Sequence, residues 1–436
     1  MPGPASAGIE YYRREGSRPM NPVGRIMWWI WVTIGWIVWV VSYPVLRIMG
    51  AGKSESAENW RERLGLLRGV PRGAVWIHGA SVGEVSALAP FLGELVRYTR
   101  KEQGIISSMT GTGKRRARSA YRHCAVAFPM DAVPAVRRAL HRADPRVVII
   151  AETELWPAFI MEASRCSRVA WVNGRISDRS YKRYRLFLSP LLRILFSRFE
   201  ILCVISRQDA ERVVALGAPR SRVFVTGNLK ADLVVPGRAL SGIPRARWFV
   251  AGSTRPGEEA AVLEAFAICR KKIPGMRLCL APRHLDRVAG VVQLAEQAGF
   301  RVARRSEGPA KAAHSEVLVL DTHGELLSVY RKAEVAFVGG TLVPVGGHNV
   351  LEPAVSGVPV LFGPYTANVR EEAEGLERTG GGFRVSGSGT IAALLLRLMG
   401  SRAVGRRAGG RARTFVKTRQ GVARRVAALF AKKGLL

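Results

Sequence analysis

The chain has 436 residues, 48% of them hydrophobic, which suits two domains with cores of their own and excludes an intrinsically disordered protein. Its five cysteines (Cys124, Cys166, Cys203, Cys269, Cys279) are scattered and odd in number, which speaks against a disulfide framework or a zinc site and for a reducing compartment. A formal charge of +34 draws the surface toward phosphate, whether nucleotide, anionic lipid or nucleic acid, without choosing among them.

Residues 1–25 read as a basic tail, and 26–48 as a membrane anchor. The run "IMWWIWVTIGWIVWVVSYPVL" (26–46) carries no charge and is about long enough to cross a hydrocarbon core as a helix. It holds Trp28, Trp29, Trp31, Trp36 and Trp39, a side chain that favours the headgroup level. Basic residues flank both ends, so the pattern leaves open whether the helix spans the bilayer or lies along it.

Short β-branched runs then alternate with amphipathic stretches. The predicted strands are "AVWIH" (74–78), "GIISSMT" (104–110), "RVVIIAE" (146–152), "RVAWVNG" (168–174) and "ILCVIS" (201–206). After a Pro- and Gly-containing passage the pattern restarts with "RWFVAGS" (247–253), "RLCLAP" (277–282), "EVLVLDT" (316–322), "EVAFVGG" (334–340) and "VPVLFGP" (358–364). Strand-then-helix alternation means a parallel sheet with helices on both faces. The expected fold is α/β: Rossmann-like domains at 60–232 and 247–420, a linker at 233–246, and a basic amphipathic helix at 421–436 with Val422, Val426, Leu429 and Phe430 on one face.

Ligands of open parallel sheets bind beyond the carboxyl ends of the strands. In the second domain those positions read Gly252-Ser253-Thr254-Arg255, Pro282-Arg283-His284, Thr322-His323-Gly324-Glu325 and "GGTLVPVGGHNVLEPAVSG" (339–357). They offer hydroxyls, cations, carboxylates and glycine turns that would let backbone approach a nucleotide. Residues His348 to Glu352 would open a helix whose N-terminus favours an anion. In the first domain "HGASVGE" (78–84) places Ser81, Gly83 and Glu84 at a strand end. Glu84 reads either as a charge that stabilises the next helix terminus or as a general base. "AETELWP" (151–157) adds Glu152 and Glu154, with Lys230 and Arg175 as candidate basic neighbours. "GTGKRRARS" (111–119) is no P-loop, because Ser108 stands where the first glycine belongs. No His pair has metal-ligand spacing.

The words "HGASVGE", "ETELWP", "NGRISDRS", "GNLK", "PRH", "DTHGEL" and "GGTLVPVGGHNVLEPA" follow one another in an order that resembles the 3-deoxy-D-manno-oct-2-ulosonic acid (Kdo) transferases. The resemblance implies a B-type glycosyltransferase, two Rossmann-like domains facing a cleft, on the cytoplasmic side of the bacterial inner membrane. It implies transfer of Kdo from CMP-Kdo to the lipid A precursor, lipid IVA, in lipopolysaccharide core synthesis. By the same likeness Glu84 matches the catalytic base, and Glu152 and Lys230 match transition-state stabilisers. Pro282, Arg283, His323, Gly324, Glu325, Asn349, Val350, Leu351 and Glu352 match CMP-binding segments, with Ser253, Gly346, Gly347 and His348 beside them. Ser81, Gly83, Glu154 and Arg175 fall on the acceptor side. Three positions depart from what relatives commonly carry: Val345 for Arg, Ala158 for Asn and Arg255 for His.

The expected chemistry is removal of an acceptor hydroxyl proton by Glu84, inversion at the anomeric carbon and release of CMP, with no cofactor and no metal. The expected partners are CMP-Kdo, the lipid A precursor and anionic inner-membrane lipids, and no nucleic acid; oligomeric state is left open. Two other readings compete. One is a B-type transferase that uses a UDP-sugar. The other is a membrane-tethered nucleic-acid-binding protein, which would need exposed aromatics interleaved with the basic residues.

Overall fold

The computed structural model describes residues 21–51, 54–98, 104–120, 124–233 and 242–436. The tail before residue 21 and most of the linker lie outside the described residues. The chain divides into two compact units. One runs up to Asp232 and takes in Gly421–Leu436, and the other is Leu233–Gln420.

The first unit is built on strands β1 (Val75–His78), β2 (Ile105–Ser108), β3 (Cys124–Ala127), β4 (Val147–Ala151), β5 (Arg168–Gly174), β6 (Ile201–Val204) and β7 (Val223–Val225). They pair in parallel in the order β3-β2-β1-β4-β5-β6-β7. Alternate residues bury into opposite layers, as a pleat requires. Trp76, Val148, Ile150 and Trp171 enter one core, while Val75, Ile77, Ile149 and Val172 enter the other. The second core is closed by the C-terminal helix Val422–Lys432, which sets Phe430 edge-on against Phe91 at 5.7 Å. Asp232 caps that helix by accepting from the backbone N–H of Gly421 and Ala423 at 2.6 Å each. The amphipathic pattern of this segment therefore serves the first unit's core.

The apolar N-terminal segment is one helix, Pro22–Met49, long and apolar enough to cross a membrane, with Asn21 capping it and Pro22 at its first turn. It is not free-standing. Gly24 lies against Ile194 and Pro190, and Trp28, Trp39 and Leu46 are buried. Trp31 Nε1 donates to Asp131 Oδ2 at 3.0 Å, and the Arg138 guanidinium lies 5.2 Å from the Trp39 ring. The opposite face leaves Ile26, Trp29, Ile30, Ile34, Trp36, Ile37 and Val41 exposed.

The second unit repeats the plan with β8 (Arg247–Thr254), β9 (Met276–Pro282), β10 (Val302–Arg304), β11 (Val317–Val319), β12 (Ala333–Val338), β13 (Val360–Phe362) and β14 (Gly382–Arg384). All pairs are parallel, in the order β10-β11-β9-β8-β12-β13-β14. The strand order reverses direction between β1 and β4 in the first sheet and between β8 and β12 in the second, where β11 also returns to lie between β9 and β10. Such switch points open a crevice at the carboxyl ends of the strands.

Candidate functional site

The first switch point gathers acids. Ser81 caps the helix Val82–Ala87. Its Oγ accepts from the Glu84 N–H at 3.4 Å and donates to Glu84 Oε1 at 3.3 Å, while Glu84 Oε2 accepts from the Ala80 N–H at 2.7 Å. This is a reciprocal cap, so the helix-stabilising role of Glu84 is real. The same half-buried carboxylate also faces other acids. Burial first, then the neighbouring Glu152 charge, push its proton affinity up to about 7; Glu154 adds to this, and the Ala80 N–H and Lys230 oppose it.

Glu152 follows β4 with a left-handed backbone, φ 55°, and is 4% exposed. Lys230 Nζ lies 2.5 Å from its Oε1, Asn173 Nδ2 donates to the same oxygen at 3.4 Å, and Arg175 Nε is 3.9 Å from Oε2. Asn173 is left-handed too, φ 54°, where the β5–β6 register shifts, and its Oδ1 accepts from the Leu229 N–H at 2.8 Å. Two left-handed non-glycine residues cost on the order of 1–3 kcal/mol each, and such strain collects at functional sites. Burial would raise the Glu152 carboxyl, but Lys230 and then Arg175 outweigh it and hold it below the usual carboxylate range.

A pH test follows from that pair. Lys230→Met strands a buried carboxylate, and breaking a buried pair this way costs about 3–5 kcal/mol at neutral pH. In the native protein the depressed carboxyl contributes stability above its ordinary value of 4.5, and this is lost as pH falls through the lower folded value. In the variant only Arg175 and Asn173 still oppose burial, so the carboxyl sits higher than in the native protein and acid relieves the penalty. The gap between the two proteins in denaturant unfolding should therefore narrow as pH falls, and a gap that widens on acidification refutes the pairing.

The second switch point gathers bases and an unexpected acid. Ser253, at the end of β8, is left-handed with φ 57°. Arg255 Nε donates to His348 Nε2 at 3.2 Å, and its Nη1 lies 2.8 Å from His284 Nε2. The Arg283 N–H is bound by the Thr254 carbonyl at 3.0 Å, which brings the Pro282-Arg283-His284 turn beside Arg255. Glu258, 0% exposed, accepts four backbone N–H groups: Arg255 and Gly340 on Oε2 at 2.8 and 2.7 Å, Thr341 and Leu342 on Oε1 at 3.0 and 2.9 Å. The loop after β12 is thus tied down from within. A Cβ at Gly339 would lie 2.4 Å from the Ser253 carbonyl oxygen, and one at Gly346 (φ 99°) would lie 2.7 Å from the Asn368 amide. These glycines are required by the chain's own packing. The helix after the loop, Leu351–Val355, is only five residues, so its dipole is small. Asn349 bridges to it, accepting from the Leu351 N–H at 3.2 Å and donating to Glu352 Oε1 at 3.3 Å. The side chains of Val350 and Leu351 are buried. Glu325 is held by Arg305 at 3.2 Å and by the Thr322 hydroxyl, beside left-handed Gly324 and His323.

Residues 58–233 match the profile of the 3-deoxy-D-manno-octulosonic-acid transferase (kdotransferase) domain. A 3-deoxy-D-manno-octulosonic acid transferase of Haemophilus influenzae is 31% identical over 312 residues, covering 69% of this chain and 73% of that one. One from Aquifex aeolicus is 30% identical over 335 residues, covering 75% and 86%. This chain belongs to the Kdo transferases. A bifunctional glycosyltransferase/methyltransferase of Fusobacterium nucleatum is 35% identical over 327 residues, 71% of this chain, and the match spans 50% of that protein. Solved structures share the fold: a UDP-N-acetylglucosamine 2-epimerase (TM-score 0.57, 13% identity, 84% of this chain and 98% of that one) and a glycosyltransferase from Rickettsia africae (0.54, 10%, 83% and 98%). The Kdo transferase is therefore a glycosyltransferase of B-type architecture.

Of the residues expected from sequence, Ser81, Glu84, Glu152, Glu154, Arg175 and Lys230 meet at one switch point, with Gly83 exposed beside them. Ser253, Arg283, His348 and Asn349 sit around the other. Sequence reasoning passed over Asn173, His78 and Glu258. The "VNGR" word offered a signal for Asn173, whereas Glu258 looks like any acid in a helix's first turn.

Proposed function

We propose that this Kdo transferase moves Kdo from CMP-Kdo to the lipid A precursor with inversion, Glu84 serving as general base. The observation that carries the reading is the Glu84 carboxylate, accessible yet raised to about 7, beside the Glu152–Lys230 pair at the β1/β4 switch point. A base with that proton affinity is matched to neutral pH. Glu84 takes the proton of an acceptor hydroxyl as its oxygen bonds to the anomeric carbon of Kdo. The bond from that carbon to the phosphate oxygen breaks, and CMP leaves with the electron pair. Lys230 and Glu152 hold the surrounding charge in place. Arg255 and Arg283 form a cationic patch suited to the donor's phosphate, with the two histidines beside Arg255 accepting its N–H groups. The experiment is transfer followed by mass spectrometry with CMP-Kdo and a tetra-acylated lipid A precursor. A gain of Kdo mass with CMP released supports the reading. UDP-sugar turnover in place of CMP-Kdo turnover overturns it.

The N-terminal helix supplies the membrane contact in this reading. One face packs on the first unit along most of its length, so we place the helix along the bilayer surface with Trp29, Ile30, Trp36 and Ile37 in the headgroup and acyl boundary. The acylated acceptor stays in that surface, and the basic charge attracts its phosphates and the anionic lipids of the cytoplasmic leaflet. Trp36→Glu with Ile37→Glu should lower flotation with anionic vesicles at least tenfold while thermal unfolding stays in place, because both residues are exposed. Unchanged flotation would reject the placement.

A further inference from the structure

His78 ends β1, the strand beside the switch point, and is 0% exposed. Its ring stacks on Phe128, with centroids 3.8 Å apart. Nδ1 lies 3.0 Å from Ser107 Oγ and 3.2 Å from the Ser107 carbonyl oxygen. Ser107 Oγ in turn accepts from Trp76 Nε1 at 2.8 Å. The other ring nitrogen, Nε2, is buried without a hydrogen-bond partner and faces Glu154 Oε2 at 3.7 Å, an oxygen that already accepts from Trp156 Nε1 at 2.8 Å.

Two tautomers fit this frame. With the proton on Nδ1, donated to the Ser107 carbonyl, a ring lone pair would face a carboxylate. With the Ser107 hydroxyl donating to Nδ1, the Nε2–H points at Glu154, and every donor from Trp76 onward has an acceptor. Only the second arrangement turns a donor toward the half-buried carboxylate. Burial pushes His78 below its ordinary range, so the ring is a neutral donor.

We propose that His78 is a positioning residue of the Kdo transferase: its Nε2–H faces the Glu154 carboxylate and fixes where that charge sits at the switch point it shares with Glu84. The inference rests on Glu84 being the base. The groups around this set are Glu152 and Arg175 after β4 and β5, Lys230 on the 3-10 turn Leu229–Asp232, and Tyr184 and Arg183 at the π-helical turn Tyr184–Leu188. Among these, Glu152 and then Glu154 raise Glu84 while Lys230 lowers it.

The test is the pH dependence of kcat in the full chain. His78→Asn withdraws the ring N–H that faces Glu154, so the carboxylate turns from the place the ring gives it and repels a Glu84 anion less. The midpoint should fall by roughly half a pH unit to one unit. Ser107→Ala, a small buried change that keeps the ring, releases the other tautomer and should move the midpoint the same way. Neither change should move it further in a Glu154→Gln background. Folded His78→Asn and Ser107→Ala proteins with slower turnover and an unmoved midpoint overturn the proposal, since a packing role alone predicts that. Should His78→Asn not fold, Ser107→Ala decides. Glu84→Gln separates the two claims: a rising limb that survives it refutes the base, whereas a limb lost there but unmoved by His78→Asn refutes only the positioning.

Discussion

Glu84→Gln leaves a folded protein whose Kdo transfer is slower by about 10²–10⁴-fold and no longer rises with pH. The direction follows from the chemistry. A general base works only when unprotonated, so native turnover should climb as pH rises through about 7, the value to which burial and Glu152 push Glu84, and then level off. Glutamine has no proton affinity in that range, so its residual rate should be flat. The choice of glutamine matters because the proposed base is also a helix cap. Its carboxylate caps the helix Val82–Ala87 through the Ala80 N–H and Ser81. The glutamine amide oxygen can still accept the Ala80 bond, so the thermal midpoint should shift little, whereas Glu84→Ala loses cap and base together at a cost of about 1 kcal/mol. Native-like transfer by Glu84→Gln would reduce Glu84 to a cap and move the search for the base to Glu154.

Much of the fold was legible because central strands announce themselves. Each strand read from the sequence is present, and the four that were passed over, β3, β7, β10 and β14, are the edges of the two sheets. An edge strand pairs on one side only and is short here, three or four residues. Val223–Val225 is half-buried to exposed along its whole length, so no run of large β-branched residues was needed. The site was legible where chemistry sits on strand-end words such as "HGASVGE" and "ETELWP". It was illegible where function depends on partners far apart in the chain. His78 matters through Ser107, Phe128 and Glu154, and Asn173 through Leu229 and a register shift, and none of these pairings has a local pattern. The N-terminal tryptophans show the same limit: Trp28 and Trp39 turn inward to the core while Trp29 and Trp36 face out, a division that only the packed helix reveals.

Glu258→Ala is expected to be the most damaging single change in the second unit. The carboxylate has no salt-bridge role among the described residues; it neutralises four backbone N–H groups that converge from the ends of β8 and β12. Three belong to consecutive residues, Gly340, Thr341 and Leu342, a run of donors that no strand pairing satisfies. Bonds to an ionised acceptor are worth about 1.5–3 kcal/mol each, and buried donors left unsatisfied cost about 1–3 kcal/mol each, although partial collapse and entering water recover some of that. A net loss of about 4 kcal/mol is therefore reasonable, and at 1.4 kcal/mol per tenfold it corresponds to about a thousandfold in local opening. Hydrogen exchange reads this directly. The amides of Arg255, Gly340, Thr341 and Leu342 should lose protection by about that factor, while those of β1 and β4 in the first unit keep theirs. Glu258→Gln should fall between, since its amide oxygen can accept while its NH₂ faces N–H donors. Because Gly339 packs against the Ser253 carbonyl and Gly340 against the His348 ring, a released loop also frees Ser253 and His348, and the variant should bind CMP more weakly. Full protection in Glu258→Ala would mean that the glycine contacts alone hold the loop, and the buried acid would then be a cost with no structural return.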